Sequence, residues 1–392
     1  KGVAGQEQTV AVVGVYASPT IVQDTDTYSR QHGEPELTAA TYSQDVAPPS
    51  QYRYAEDCGG LGNWQGEQTL DVQSVHAIAP SAHILYAGAK DCGAGLEVEL
   101  SHILDDGLAN IVSNSYGNGG ENLDVETIKG IVNLELQAAG EGIGLYFASG
   151  DDGDRSADVG SAQPEFPASS PWVTAVGGDS VGLDHNGKKT FETGWGNTLD
   201  PIIASKRGNV YKDALPGNIF AGGAGGGQST FFDQPAYQRG IVPDSLAGGK
   251  RVAPDVAALA DPYTGFAFGI SPITNDKTLA TGKYITDNLG GTSLAAPVTA
   301  ALVALAQQQT NSRFGFANPA LYAAYRSDPT SFTDVTPTAP IALAYSSVKT
   351  GKDFLVTLDR DTSLTTAAGY DDVTGLGVIS VPGLARVQKS RN

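Results

Sequence analysis

Over the first 150 residues, short apolar, β-branched runs alternate with longer helix-like stretches, and that alternation leaves few folds open. Thr9–Tyr16 (TVAVVGVY), His83–Ala89 (HILYAGA), Asn110–Tyr116 (NIVSNSY) and Gly144–Ser149 (GLYFAS) read as buried strands. Residues 67–78, Leu96–Leu104 and 122–139 read as helices between them. Strands separated by helices predict an α/β fold: a mostly parallel central sheet flanked by helices on both faces. Ligands of such sheets lie beyond the carboxyl ends of the strands. That rule places Ser115 and Asp151, each at the end of a predicted strand, beside one crevice. Residues 153–250 are richer in Gly, Pro and polar residues, with short strands such as Trp172–Val176. No repeat of roughly 20–50 residues and no linker divides the chain. Residues 1–392 are therefore expected to form one domain with long surface loops.

Charge narrows the partners. The chain carries 43 acidic against 24 basic residues, a net charge of −19. Nucleic acid is not an expected partner, because phosphate binding needs a basic surface. Few bases also mean little positive self-repulsion once acid protonates the carboxylates, which is compatible with work in acid. No run of about 18 apolar residues is present, so no membrane span is expected. No charged-then-apolar leader precedes the first strand, and Lys1 reads as the start of a processed chain. A trimmed chain looks the same. Cys58 and Cys92 are the two cysteines. They read either as one disulfide, worth about 3–4 kcal/mol in the entropic model, or as two buried thiols. Without a clustered pair of histidines they give no zinc signature.

The segment Gly290-Gly291-Thr292-Ser293-Leu294-Ala295-Ala296-Pro297 hands a hydroxyl to the start of an apolar helix over roughly residues 292–309. Ser293 there sits near N–H groups that no helical carbonyl accepts. Such a serine can attack a carbonyl while nearby donors hold the oxyanion. Taken alone, the turn reads more readily as a helix cap. A serine nucleophile needs a base, and usually a histidine supplies it. His76 and His83 read as structural, His32 and His185 fall in polar loops, and none of the five histidines, His102 included, lies in a His-Gly-Thr-His setting. Glu67 and Asp71, four apart at the beginning of a predicted helix, share one face. Acids are favoured at a helix start, which gives a structural account of the pair. The other account is a proton-sharing pair, in which one pKa rises and the other falls. A glutamate tuned in this way accepts a serine proton in acid, where histidine is already protonated. Asp151, in Ser149-Gly150-Asp151-Asp152-Gly153, reads as a turn aspartate or as a protonated carboxyl that donates to an oxyanion.

At these residues the chain resembles the sedolisin family of serine-carboxyl peptidases, which have a subtilisin-like fold. The resemblance runs over nearly the whole length. Besides GGTSLAAP it rests on GEQTLDVQSVHAIAP, SNSYG, ASGDDG, FPASSPWVTAVGG, GGGQSTFFDQPAYQ, RVAPDVAALADPYTG and GYDDVTGLG, in that order. The resemblance implies Ser293 as nucleophile, Glu67 as general base and then acid, and Asp71 as the residue that orients and tunes Glu67. It implies that Asp151 completes the oxyanion hole with the Ser293 N–H. Ser115, Tyr116 and Gly117 correspond to the edge strand that pairs with an extended peptide. One Ca²⁺ is implied in a C-terminal region of about 330–380, held by the side chains of Asp334 and Asp371 and the carbonyls of Val335, Ala367 and Gly369. An all-oxygen set of this kind suits calcium. Taken without the resemblance, these acids read as turn aspartates. Ala367 stands where relatives often have glycine, which a carbonyl ligand tolerates. Gly14-Val15-Tyr16-Ala17 follows the first strand where many relatives carry an acid, so an extended acidic network around Glu67 is not expected.

The resemblance implies a secreted, extracellular, monomeric peptidase matured from a zymogen, active on polypeptides at acid pH and partnered by its own pro-segment before maturation. An endopeptidase is the leading expectation. A tripeptidyl aminopeptidase on the same fold is the nearest alternative. A non-catalytic peptide-binding relative and a neutral-pH subtilisin that uses His76 are the others.

Overall fold

Strand β1 (Thr9–Val15) shows in one element how the two faces of the molecule are filled. Side chains alternate along a strand. Val10 and Val12 enter one core, while Ala11, Val13 and Val15 enter the other. The same division runs through β3 (His83–Ala89), β4 (Ile111–Asn114), β5 (Gly144–Ala148) and β6 (Thr174–Leu183). Ile84, Tyr86, Ile111, Tyr146 and Val176 face the first core, and Ala87, Val112, Leu145, Phe147 and Ala175 the second. Burial on both sides explains why these strands read as continuous apolar runs in the sequence.

The computed structural model describes residues 2–206, 208–337, 340–347 and 350–389. The central sheet runs Phe332–Thr333, Val378–Ile379, Val256–Leu259, β6, β5, β4, β1, β3 and then β2 (Tyr42–Val46). From β2 to Val378–Ile379 every neighbouring pair is parallel. Phe332–Thr333 is an antiparallel edge, and Lys189–Gly194 adds an antiparallel strand beside β6. Helices cover both faces, as the alternation predicted. Helix α2 (Leu61–Ile78) and the serine helix (Thr292–Thr310) lie on the first core, with Val72, Val75, Ala296, Ala300 and Val303 buried there. Helix α3 (Ala94–Asp105) covers the second through Leu96, Leu100 and Ile103. The residues between 330 and 380 are woven into the fold. They supply two strands to the central sheet and two, Ala342–Ser347 and Lys352–Thr357, to a second sheet built on Gly196–Ser205.

Two boundaries differ from the sequence expectation in ways that matter. Helix α2 begins at Leu61 and not near residue 67. Gly62 and Gly66 read as helix breakers, yet burial of Leu61 and Gln65 carries the helix through them. Glu67 and Asp71 are thus mid-helix residues, and the favourable field of a helix N-terminus no longer accounts for them. Strand β4 stops at Asn114. Ser115, Tyr116 and Gly117 form the segment that leaves its carboxyl end and are not part of the ladder, as the longer Asn110–Tyr116 expectation had them.

Candidate active site

Because α2 and the serine helix pack side by side on one face, their polar residues meet at the carboxyl edge of the sheet. Glutamines fix the position of α2. Gln65 accepts the Ile273 N–H at 2.7 Å and donates to the Ser271 carbonyl at 3.0 Å. Gln73 exchanges two 2.8 Å bonds with the Gly269 backbone, and Gln68 accepts the Ser18 N–H. All three amides are buried. Bonds of this kind hold a helix in rotation as well as in place, and here they set Glu67 and Asp71 beside Ser293 and Ser115.

The cavity has a volume of about 260 Å³ and is walled by Ser115, Tyr116, Gly117, Gly150, Asp151 and Ser293, with Arg155 and Glu165 among its other lining residues. Ser293 and Ser115 stand beside the Glu67 carboxyl and act on its proton affinity, while Glu67 Oε1 is buried without a partner. Burial pushes Glu67 up to about 7, the two serines pull it back, and the charge of Asp151 adds to the rise. Asp71 is buried beneath Glu67 and is held well above the usual carboxylate range, first by burial and next by the Glu67 charge. Burial raises both carboxyls, so the expected split of one pKa up and one down does not occur, and neither is paired with a base.

Asp151 faces the same cavity from the turn after β5. Its Oδ1 accepts the Thr292 N–H at 2.7 Å and the Thr292 hydroxyl at 3.0 Å. Burial raises its pKa in spite of those bonds. Gly291 is required here. It has φ 95°, and a Cβ on it would stand 2.6 Å from Asp151 Oδ2. Thr292 also accepts the Gly150 N–H at 3.0 Å, so the Asp151 turn and the start of the serine helix are one unit.

The five histidines lie elsewhere. His76 Nε2 meets the Pro35 carbonyl at 2.6 Å, and His83 bridges Ser43 and Ala40. His102 sits between Asp45 and Asp106, His32 on the Tyr28 carbonyl and His185 beside Asn186. Cys58 and Cys92 are joined as a disulfide with Cα atoms 5.6 Å apart. Together with Trp64, Leu96, Ile131 and Leu134 they line an open, largely apolar groove of about 880 Å³ that continues along Tyr116–Asn118.

Sequence reasoning missed several residues. Gln65, Gln68 and Gln73 were given no role, although Gln68 and Gln73 fall within GEQTLDVQSVHAIAP and three glutamines in an otherwise buried helix are a signal that each needs a partner. Glu165 is nearly buried, is pushed up to about 8 by burial, and lies 3.5 Å from the Arg155 guanidinium. Ser115 was expected to serve through its backbone, yet its hydroxyl touches Asp71 Oδ1 and the Ser293 carbonyl, each at 3.1 Å.

The calcium candidates converge as well. Both oxygens of Asp334 lie 3.1 Å from the Gly369 N–H, and Asp371 accepts the N–H groups of Ala367, Val373 and Thr374 at 2.7–3.1 Å. Both charges act on Tyr325, so they share one neighbourhood. Among the described residues no three His, Cys, Asp or Glu side chains come together as a metal would need. Two carboxylates must then be completed by carbonyls. The oxygen-only chemistry of Asp334, Val335, Ala367, Gly369 and Asp371 fits a hard cation on those terms.

A mostly parallel sheet with a serine and two carboxylates at its carboxyl edge defines a class of hydrolase fold, and the comparisons agree. A model of the subtilase family matches residues 55–325. Kumamolisin of Bacillus sp. (strain MN-32) is 30% identical over 86% of this chain and 54% of its own length. Sedolisin of Pseudomonas sp. (strain 101) is 27% identical over 83% and 51%. Tripeptidyl-peptidase 1 of Homo sapiens is 25% identical over 83% and 52%. The solved structure of Pseudomonas sedolisin, a serine-carboxyl proteinase complexed with two molecules of pseudo-iodotyrostatin, superposes with a TM-score of 0.73 at 22% identity, covering 99% of this chain and 94% of that one. The chain belongs to the subtilase family, in its sedolisin branch. It spans about half the length of the curated relatives it matches.

Proposed function

We propose that this chain is an acid-acting serine-carboxyl endopeptidase. The observation that carries the reading is that Ser293 lines a cavity with no histidine in its walls and has the Glu67 carboxyl as a neighbour. With Glu67 ionised and Asp151 protonated, Glu67 takes the Ser293 proton as Oγ attacks the peptide carbonyl. The tetrahedral oxyanion receives the Ser293 N–H and a hydrogen bond from protonated Asp151. Glu67 then protonates the leaving amine, and water reverses the path to release the acyl group. Asp71 keeps Glu67 oriented and, by its charge state, sets its proton affinity. Substrate lies extended along Ser115, Tyr116 and Gly117.

The groove along Tyr116–Asn118 supports endopeptidase action, because it leaves room for side chains well beyond the scissile bond. The tripeptidyl-peptidase relatives are the one observation on the other side. An unfolded protein with a blocked amino terminus separates the two. We expect internal fragments, detected by mass spectrometry. An intact blocked protein, with tripeptides released only from the unblocked form, is the result that assigns the exopeptidase.

Calcium belongs to the same reading. When bound it supplies a fixed charge that ties the Asp334 turn to the 367–371 turn through Asp334, Asp371 and the carbonyls of Val335, Ala367 and Gly369. A cation bound only by the folded state stabilises it. Excess chelator is expected to lower the melting temperature by several degrees or more, and added Ca²⁺ to restore it. A melting temperature indifferent to both removes the site. Secretion, a monomeric state and a pro-segment partner complete the proposal. Among the described residues no helix is long and apolar enough to cross a membrane.

A further inference from the structure

The Ser115 hydroxyl has one proton and faces three acceptors. Asp71 Oδ1 and the Ser293 carbonyl are each 3.1 Å away, and the Glu67 carboxyl is within reach. The carbonyl has a particular need of it. In a helix the carbonyl of residue 293 receives the N–H of residue 297. Residue 297 is Pro297, inside the helix, and it has no N–H to give. Ser115 is 6% exposed and Asp71 1% exposed, so solvent is a poor substitute at this spot.

Counting protons leaves two arrangements. With Asp71 neutral, its O–H donates to Ser115 Oγ, and the Ser115 proton goes to the Ser293 carbonyl. With Asp71 ionised, the Ser115 proton turns to the carboxylate, the stronger acceptor, and the carbonyl loses that donor. No bond other than these hydrogen bonds changes, and the single proton lost by Asp71 passes to solvent or to Glu67. The titratable groups around Asp71 are Glu67 on its own helix and Tyr86 from β3. Asp151 acts on Glu67 from across the cavity, and Arg155 acts on Asp151.

We propose that Ser115 is a positioning residue for the nucleophile: its hydroxyl proton switches between the Ser293 carbonyl and Asp71, so that a neutral Asp71 anchors the first turn of the serine helix and an ionised Asp71 releases it. The proposal rests on the peptidase reading only for its effect on turnover. It differs from a substrate-binding role, because the hydroxyl is engaged by the protein and not turned to the peptide.

The test is a comparison of Ser115→Ala and Ser115→Thr with the unaltered chain. For Ser115→Ala we expect kcat to fall about tenfold or more, the scale of one lost hydrogen bond to a charged or buried partner, with KM within about twofold. The switch's share of the alkaline limb of the kcat profile is lost, since the Ser293 carbonyl has no Ser115 donor at any pH. Ser115→Thr keeps the hydroxyl and restores both the rate and the limb. A loss confined to KM, or an unmoved limb, overturns the proposal. Infrared titration of the Asp71 carboxyl, identified by its loss in Asp71→Asn, gives a readout free of turnover. The midpoint rises in Ser115→Ala and returns in Ser115→Thr. If the unaltered chain cleaves no peptide, the peptidase reading fails and this titration alone decides, an unmoved midpoint overturning the switch.

Discussion

Ser293→Ala and Glu67→Ala are each expected to lower kcat on a denatured protein substrate at acid pH by about 10³-fold or more, and the double variant to be little worse than either alone. The argument is one of shared function. Oγ is a weak nucleophile until its proton has somewhere to go, and Glu67 is the basic group within its reach. Removing either end of that transfer removes the same step. The residual rate comes from binding and from the oxyanion donors, which both variants keep. His76→Gln is the control. His76 is bonded to the Pro35 carbonyl, so its loss is expected to cost stability while the folded variant still turns over. Near-normal kcat in Glu67→Ala, or abolished kcat in a folded His76→Gln, returns the chain to the histidine-dependent mode. Glu67 stands near 7, so its basic form grows as pH rises, whereas the oxyanion donor Asp151 needs its proton. Those opposing needs give a bell-shaped profile whose limbs belong to the coupled carboxyls and not to one residue.

What was legible in the sequence follows from how locally each feature is encoded. The strands of the central sheet were readable because burial on both faces forces a continuous apolar run, as in Val10–Val15. The residues of the cavity were readable because Ser293 and Asp151 each stand in a short run of their own, Gly291-Thr292-Ser293 before an apolar helix and Ser149-Gly150-Asp151 after an apolar strand. The beginning of α2 was not, because the residues that hold Gly62 and Gly66 in a helix come from elsewhere. Ser271 and Ile273 grip Gln65, and Gly269 grips Gln73, each about 200 positions away in the chain. The role of the Ser115 side chain was hidden for the same reason: its partners are 44 and 178 residues distant. The missing N–H of Pro297 was on the page from the start, but which group would answer it depended on the packing of three elements. Glu165 lies in a Pro-rich stretch with no local signal of a role, and only the fold seats it in the cavity lining, where a Cβ on Gly150 would meet its carboxyl at 2.5 Å.

Acid is also expected to be where this protein is most stable, with a melting temperature roughly 5 °C or more higher at pH 4 than at pH 8 at constant saturating Ca²⁺. The cause is a set of carboxyls whose burial outweighs any counter-charge beside them, Arg155 next to Glu165 included. Glu135 is pushed up to about 8 by burial, with the Ser170 hydroxyl as its hydrogen-bond partner and Oε1 without one. Glu165 is raised to about 8 and Asp361 to about 7, also by burial. Glu67 joins them near 7. Each has a folded pKa above its unfolded value, so between about pH 4 and 8 the native state holds more protons than the unfolded chain. Stability then falls as pH rises through that window, and is fully present only below the unfolded values. At about 1.4 kcal/mol per pKa unit, a single glutamate such as Glu135 removes on the order of 4 kcal/mol across it. Mutual repulsion among 43 acidic residues grows in the same direction. Thermal unfolding at pH 4, 6 and 8 reads the slope directly, and Glu135→Gln, which stays neutral at every pH, is expected to flatten it. A melting temperature that climbs from pH 4 to 8 means that these carboxyls are charged in the folded protein, and with that the proton-holding account of the Glu67, Asp71 and Asp151 site fails as well.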